Sequence, residues 1–303
     1  MYTLQAVERT GAAAFVINQV QSQDLDSGME RYVAGGNSSI NNAFAAIIAQ
    51  KPTLGVVTTA IKTALTNIGI GGAAIATATP LLFYFMRREP GAVYASTLHE
   101  KITAYAGIIV PNRLTASQGQ AATIEYQCTF LTDGTNAPLT MATTSTLATD
   151  SDADQGFTLG PVTIGGVPLN VDALQELTID FGYSLDVIMG GGKVWPSQVS
   201  IKQETPTITV ATLDMSDIRT HCGANLMGKA ASAVFWLRQM QHGSGTWADA
   251  SAKHISMSAA ADQLNMEQVS VSDRENAQPA IVFTPLKSGA NAILAILTDQ
   301  VIA

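Results

Sequence analysis

The sequence predicts a mainly β protein, a β-sandwich or barrel-like fold with a short flanking α-helix, and three observations carry that reading. First, "LTIDFGYSLDV" puts Leu177, Ile179, Phe181, Tyr183, Leu185 and Val187 at odd positions and Thr178, Asp180, Gly182, Ser184 and Asp186 at even ones. Successive side chains of a strand point to opposite faces, so this describes a sheet with one dry face and one wet, acidic face. Second, "ATIEYQCTFL" repeats the pattern, with Ile124, Tyr126, Cys128 and Phe130 on one side and Glu125, Gln127 and Thr129 on the other. Third, helical spacing is confined to short segments.

The clearest of those segments is "AIKTALTNI", where Ile61, Leu65 and Ile68 recur at helical intervals. Thr58 or Thr59 stands in the N-cap place and Gly69 follows as a stop. A helix from about Thr59 to Ile68 is expected to cover the dry face of the sheet, against residues such as Ile179 and Phe181. "PLLFYFMRREPG" then reads as an aromatic strand entering a Pro-Gly turn. From Thr132 to Asn170 the chain is rich in Thr, Ser, Asp, Gly and Pro. It reads as a long extension with short β-type runs at Phe157 to Leu159 and Val162 to Ile164, expected to contact neighbouring subunits.

Beyond "LTIDFGYSLDV", "VSIKQETPTITVATLD" alternates Val199 and Ile201, then Ile208 and Val210, with polar residues, giving two more half-wet strands. The stretch from Met215 to Gln241 is a helical candidate weakened by Gly223 and Gly228. "KHISMSAAAD", "EQVSVSDRE" and "PAIVFTPL" return to strand-like alternation before the apolar "NAILAILTDQVIA". No tandem repeat of short period is visible. The whole of 1–303 reads as a single domain with possible N- and C-terminal arms.

Composition narrows the function. Hydrophobic residues make up 47% and charged residues only 13%, about half the usual share, with a mean hydropathy of +0.19. Such a surface is expected to be covered by copies of the same chain, because interface cores are depleted in charge. A net charge of −8 and a pI near 4.9 disfavour tight DNA binding, which depends on Lys and Arg at phosphates. The longest weakly charged stretch, Pro52 to Met86, is interrupted by Lys62, Asn67 and Pro80, so no membrane helix is expected. The first residues carry neither a basic leader nor an apolar run of signal length, and synthesis in a cytoplasm is expected.

No motif supports enzyme chemistry or a cofactor. Gly69-Ile70-Gly71-Gly72-Ala73-Ala74 matches the dinucleotide fingerprint in letters, but a helix precedes it where a strand is needed. Asp150, Asp152 and Asp154 imitate the start of a calcium loop, yet Gln155 replaces its glycine and Pro161 its closing glutamate. His221-Cys222 lacks a nucleophile setting, and His99, His221, His242 and His254 have no metal-ligand spacing. Cys128 and Cys222 read as two buried thiols.

The order of "TTAIKTALTNIG", "PLLFYFMRR", "HEKITAYAGIIVPNRLTASQGQAATIEYQCTFLTDGTNAPL" and "LQELTIDFGYSLDVIMGGGKVWPSQVSIKQETPTITVATLD" resembles the major tail tube proteins of long-tailed bacteriophages over roughly residues 55 to 215. The resemblance implies a structural virion protein, with six subunits in each ring. Inner sheets would close a multi-subunit β-barrel, and rings would stack into a tube that conducts double-stranded DNA without binding it specifically. Other tail proteins would cap its ends. On this reading Glu176, Thr178, Asp180, Ser184 and Asp186 line the lumen, where carboxylates repel phosphates and no Lys or Arg holds them. Two alternatives stay open: another ring component of such a particle (terminator, distal tail or capsid-associated), and a membrane β-barrel, which would need a signal peptide and lipid-facing strands of about 10 residues with aromatic girdles.

Overall fold

Alternating burial runs through most of the chain. The computed structural model describes it over residues 2–11, 14–35, 42–87, 98–148, 156–190, 192–222, 230–241, 247–270, 279–285 and 294–302. The first half contains β1 (Tyr2–Arg9), β2 (Phe15–Ile17), β3 (Val20–Asp26), a hairpin of β4 (Met29–Gly35) and β5 (Asn42–Gln50), β6 (Thr53–Thr58) and the helix α1 (Ile61–Asn67). It continues with β7 (Ala73–Ile75), β8 (Leu81–Arg87), β9 (His99–Ala104), β10 (Ala106–Ser117), β11 (Thr123–Leu131) and β12 (Leu139–Thr144). The second half contains β13 (Phe157–Ile164), β14 (Val167–Pro168), β15 (Leu174–Asp180), a hairpin of β16 (Tyr183–Met189) and β17 (Pro196–Glu204), β18 (Thr207–Thr212) and the helix α2 (Met215–Cys222). It ends with β19 (Ala230–Gln239), β20 (His254–Ser270), β21 (Ala280–Pro285) and β22 (Ala295–Gln300).

The two halves are one fold built twice. In the first, β1 pairs with β2 and β8, β8 with β9, β9 with β12, β10 with β11, β11 with β6, and β6 with β3. In the second, β13 pairs with β14 and β19, β19 with the first part of β20, and that part with β22. The second part of β20 pairs with β21, β21 with β18, and β18 with β15, completing the correspondence.

From β3 to the helix start, the match is residue by residue at a spacing of 154 positions: Val20 and Leu174, Gly28 and Gly182, Pro52 and Pro206, Ile61 and Met215. Even the irregularities recur. The ladder slips between Val20 and Ser22, and again between Leu174 and Glu176. Gly28 and Gly182 both turn the chain into a hairpin at positive φ (55° and 61°), and a Cβ on either would collide with a backbone oxygen, of Lys51 or of Thr205. Thr58 and Thr212, both fully buried, each accept the N–H two residues on, of Ala60 (3.0 Å) and Asp214 (3.1 Å), at the entrance to a helix. Buried His99 and His254 each accept a backbone N–H through Nδ1, from Arg87 and Gln239.

Each half is a two-layer sandwich. A five-stranded outer layer, β12-β9-β8-β1-β2 or β22-β20-β19-β13-β14, lies over four inner strands, β3-β6-β11-β10 or β15-β18-β21-β20. Edge-to-face aromatic pairs at equivalent strands bridge the layers: Phe83 on Phe130 at 5.6 Å, and Phe235 on Phe283 at 6.4 Å. One continuous hydrophobic core runs through both halves, from Leu4 to Leu294.

Several expectations need correction. The 132–170 stretch is not a free extension, because β12 and β13 are outer-layer strands; the runs at 157–159 and 162–164 are one strand interrupted by a bulge. The expected N- and C-terminal arms are likewise largely sheet, β1 lying inside one outer layer and β20, β21 and β22 inside the second half. The helical candidate at 215–241 is helix over Met215–Cys222, and its later part, Ala230–Gln239, is strand. There Ala233, Phe235 and Leu237 are buried at period two, and the β-forming Val234, Phe235 and Trp236 set the local preference. The expected loop with Asp150, Asp152 and Asp154 lies outside the described residues.

The helix α1 is shorter than expected. Its N-cap residue is Ala60, whose N–H is accepted by the hydroxyl of Thr58, two residues before the cap. Ile61, Leu65 and Ile68 are buried as expected, but the helix lies against β2 and β22, joining the core that also holds Ile179 and Phe181. Leu65→Asp would bury an unpaired carboxylate there, and we expect a loss of several kcal/mol, read as a lower melting temperature.

Candidate functional site: the wet face of a continuous inner sheet

The inner layers of the two halves meet edge to edge. Arg113, Leu114, Thr115, Ala116 and Ser117 of β10 pair with Asp180, Ile179, Thr178, Leu177 and Glu176 of β15. The result is an unbroken run of eight strands, β3-β6-β11-β10-β15-β18-β21-β20. One face of it is dry: Leu54, Val56, Ile124, Tyr126, Leu114, Leu177, Ile179, Ile208, Val210, Ile281 and Phe283 are all buried. The opposite face carries Ser22, Asp24 and Asp26 of β3, Thr123, Glu125 and Gln127 of β11, and Arg113, Thr115 and Ser117 of β10. It continues with Glu176, Thr178 and Asp180 of β15 and Thr207 and Thr209 of β18.

Three of the five sequence-selected residues, Glu176, Thr178 and Asp180, therefore form one row. Thr178 donates to Glu176 Oε1 at 2.8 Å. Ser184 and Asp186 do not continue that row, because Gly182 breaks the strand that the alternation describes, and β16 leaves the sheet and, among the described residues, pairs only with β17. Both are exposed on the hairpin. Its other side turns Tyr183, Leu185 and Val187 toward Val110, Gln127 and Thr129 around a cavity of about 300 Å³. The Tyr183 hydroxyl lies 2.6 Å from the Ile70 carbonyl oxygen and 3.1 Å from the Glu204 carboxylate. Burial and then the Glu204 charge push its ionisation well above the usual phenol range.

The expectation of a face without cations also needs correction. Arg113 Nε donates to Asp180 Oδ1 at 2.6 Å across the junction of the two halves. The partner is invisible in "LTIDFGYSLDV" because it sits on a strand 67 residues away in sequence. Hydrogen bonding to Asp180 drives the guanidinium's ionisation still higher. The pair is solvent-accessible (side chains 55% and 39% exposed), so its net contribution to stability is about 0–1 kcal/mol. Among the described residues of this face, Arg113 stands against Asp24, Asp26, Glu125, Glu176 and Asp180, so the balance stays acidic.

Among the described residues no group of three or more His, Cys, Asp or Glu could hold a metal ion. The Gly69–Ala74 segment joins α1 to β7, the reverse of the strand-to-helix order that a dinucleotide needs. Cys128 is fully buried, and desolvation holds its thiol far above the ordinary range, so it is inert packing. No described helix is long and apolar enough to cross a membrane. In comparisons with known proteins, no family model and no curated protein matches the chain.

Proposed function

We propose that the chain is a self-assembling structural protein whose eight-stranded inner sheet lines the bore of a tube that conducts DNA, as in the tail tubes of long-tailed bacteriophages. The observation that carries this reading is the sheet itself: dry on one side, acidic and hydroxyl-rich on the other, with the outer edges of β3 and of residues 266–270 of β20 open among the described residues. Open edges are an aggregation hazard that closure into a barrel removes. Carboxylates along the wet face repel phosphates, and the one guanidinium among the described residues of that face is engaged by Asp180. Duplex DNA in such a bore has nothing to hold it.

A charge-reversal experiment tests this. Glu176→Lys with Asp180→Lys replaces two carboxylates of every copy by cations on the wet face, outside the core. Tubes of the double variant should form and retain linear duplex DNA at low salt, while wild-type tubes leave it in the supernatant after sedimentation. Retention should fade above about 0.1 M salt, where the Debye length is near 10 Å. Equal DNA recovery from both tubes at low ionic strength would contradict the bore assignment. Rings that never stack would instead favour a terminator, distal-tail or capsid-associated ring component.

A further inference from the structure

The junction between the two halves is a template for the junction between two copies. At β10·β15, the free edge of one half's inner layer pairs with the first inner strand of the other half. Among the described residues, the corresponding surfaces at the two ends of the chain have no strand partner: residues 268–270 of β20, equivalent to Arg113–Thr115 of the paired part of β10, and β3, equivalent to β15. Exposure shows what is missing. Ile179 on β15 is fully buried, whereas Leu25, its counterpart on β3, is 41% exposed.

A second, independent feature repeats the pattern. The hairpin β16–β17 of the second half is anchored on the first half, with Thr132 N–H donating to Pro196 O and the Tyr183 hydroxyl beside Ile70 O. Its counterpart β4–β5 projects with Met29, Tyr32, Val33, Phe44, Ile47 and Ile48 all exposed. Within one chain, no third half is present for that hairpin to cover.

We propose that copies join head to tail by β-pairing of β20 residues 268–270 of one copy with β3 of the next, in the register of β10·β15, and that three chains close each ring. The proposal rests on the tube reading for its closure number. Both β10 and β20 carry a bulge against their inner neighbour, after Pro111 and after Met266, which fixes the correspondence of Leu114 with Val269. Since Leu114 pairs with Ile179, Val269 of one copy is set opposite Leu25 of the next. A head-to-tail contact generates a ring where its rotation closes and an open filament where it does not.

Each chain contributes eight strands. With strands about 4.8 Å apart and tilted by about 40°, two chains enclose a backbone diameter of about 32 Å and three about 48 Å. Side chains fill about 6 Å on each side, leaving bores of about 20 and 36 Å, and a B-form duplex with grooves about 8 Å deep is itself about 20 Å across. Three chains are the smallest ring that passes DNA with its water. The hexamer expected from the resemblance thus becomes a ring of six halves.

Disulfide trapping tests the pairing. Leu25→Cys with Val269→Cys should cross-link under mild oxidation into dimers and a terminal species of three chains, visible without reductant. Either single variant, or Gln23→Cys with Val269→Cys, should stay largely uncross-linked, because opposed residues come within disulfide reach and diagonal ones do not. Native mass spectrometry of unmodified rings should give three chains. A ladder ending at two or four chains, or running on without limit, would overturn the closure number. Tubes that assemble while the opposed pair stays reduced would overturn the pairing and leave the tube reading standing. Cross-linked three-chain rings that never form tubes would support the pairing and count against the tube.

Discussion

A Leu25→Lys chain is expected to fold as stably as the wild type and to remain a monomer. Leu25 is 41% exposed on an edge strand, where substitution costs the isolated chain little. Once a neighbour's strand covers that edge, position 25 takes the environment of Ile179, which is fully buried. An unpaired ammonium buried there costs several kcal/mol at every chain-to-chain contact, and each additional kcal/mol lowers association about fivefold. Thermal unfolding together with light scattering would check this, since an unchanged melting temperature with loss of all large species is expected. Leu25→Val, which keeps the apolar contact, should assemble.

Gly182→Val is expected to be the most damaging substitution outside the core. At φ 61° a β-branched residue is strained, and its Cβ would meet the Thr205 carbonyl across the base of the β16–β17 hairpin. Relief requires the hairpin to shift, and the hairpin is held by the hydroxyl of Tyr183 at Ile70 and by backbone bonds from Thr132 to Pro196 and from Gln50 to Val194. Strain and lost contacts together come to about 2–4 kcal/mol, or roughly 3–6 °C in melting temperature for a chain of this length. Gly28→Val carries the same backbone strain but tilts a hairpin whose apolar residues are exposed. Its effect on the isolated chain should be smaller and its effect on assembly larger. Calorimetry of both variants separates them; equal losses would mean that the hairpin anchorage contributes nothing.

Much of the fold was legible from period-two alternation. The strands at 81–87, 123–131 and 174–180 and the burial of Ile61, Leu65 and Ile68 all follow from spacing of apolar residues. Where spacing misled, a local signal competed with tertiary pairing. Alternation runs straight through Gly182 because the hairpin beyond it also has one greasy side, so only its positive φ reveals the bend. The Ala-rich segment before Val234 satisfies helical propensity, yet its position between β13 and β20 makes it a strand. Arg113 could not be assigned to Asp180 from the sequence, since register between distant strands is a property of the whole sheet.

The duplication was harder to see. A sheet needs alternation rather than particular residues, so the two halves keep few identities; the clearest are Pro52, Thr53, Val56 and Thr58 against Pro206, Thr207, Val210 and Thr212. Two of these have physical reasons visible in the structure. Val56 and Val210 are buried in the inner layer, and Thr58 and Thr212 hold the helix entrances.

The most direct test of the tube assignment is an electron cryo-microscopy reconstruction of the assembly that the purified protein forms. The expected map is a hollow tube of stacked rings, with a continuous inner β-barrel and Glu176, Thr178 and Asp180 facing a bore wide enough for duplex DNA. Each ring should hold three chains that look nearly sixfold at low resolution, the β20-to-β3 contact superposing on β10·β15. A map that puts Asp180 on the outer surface, or a chain that stays monomeric with both edge strands bare, would contradict it.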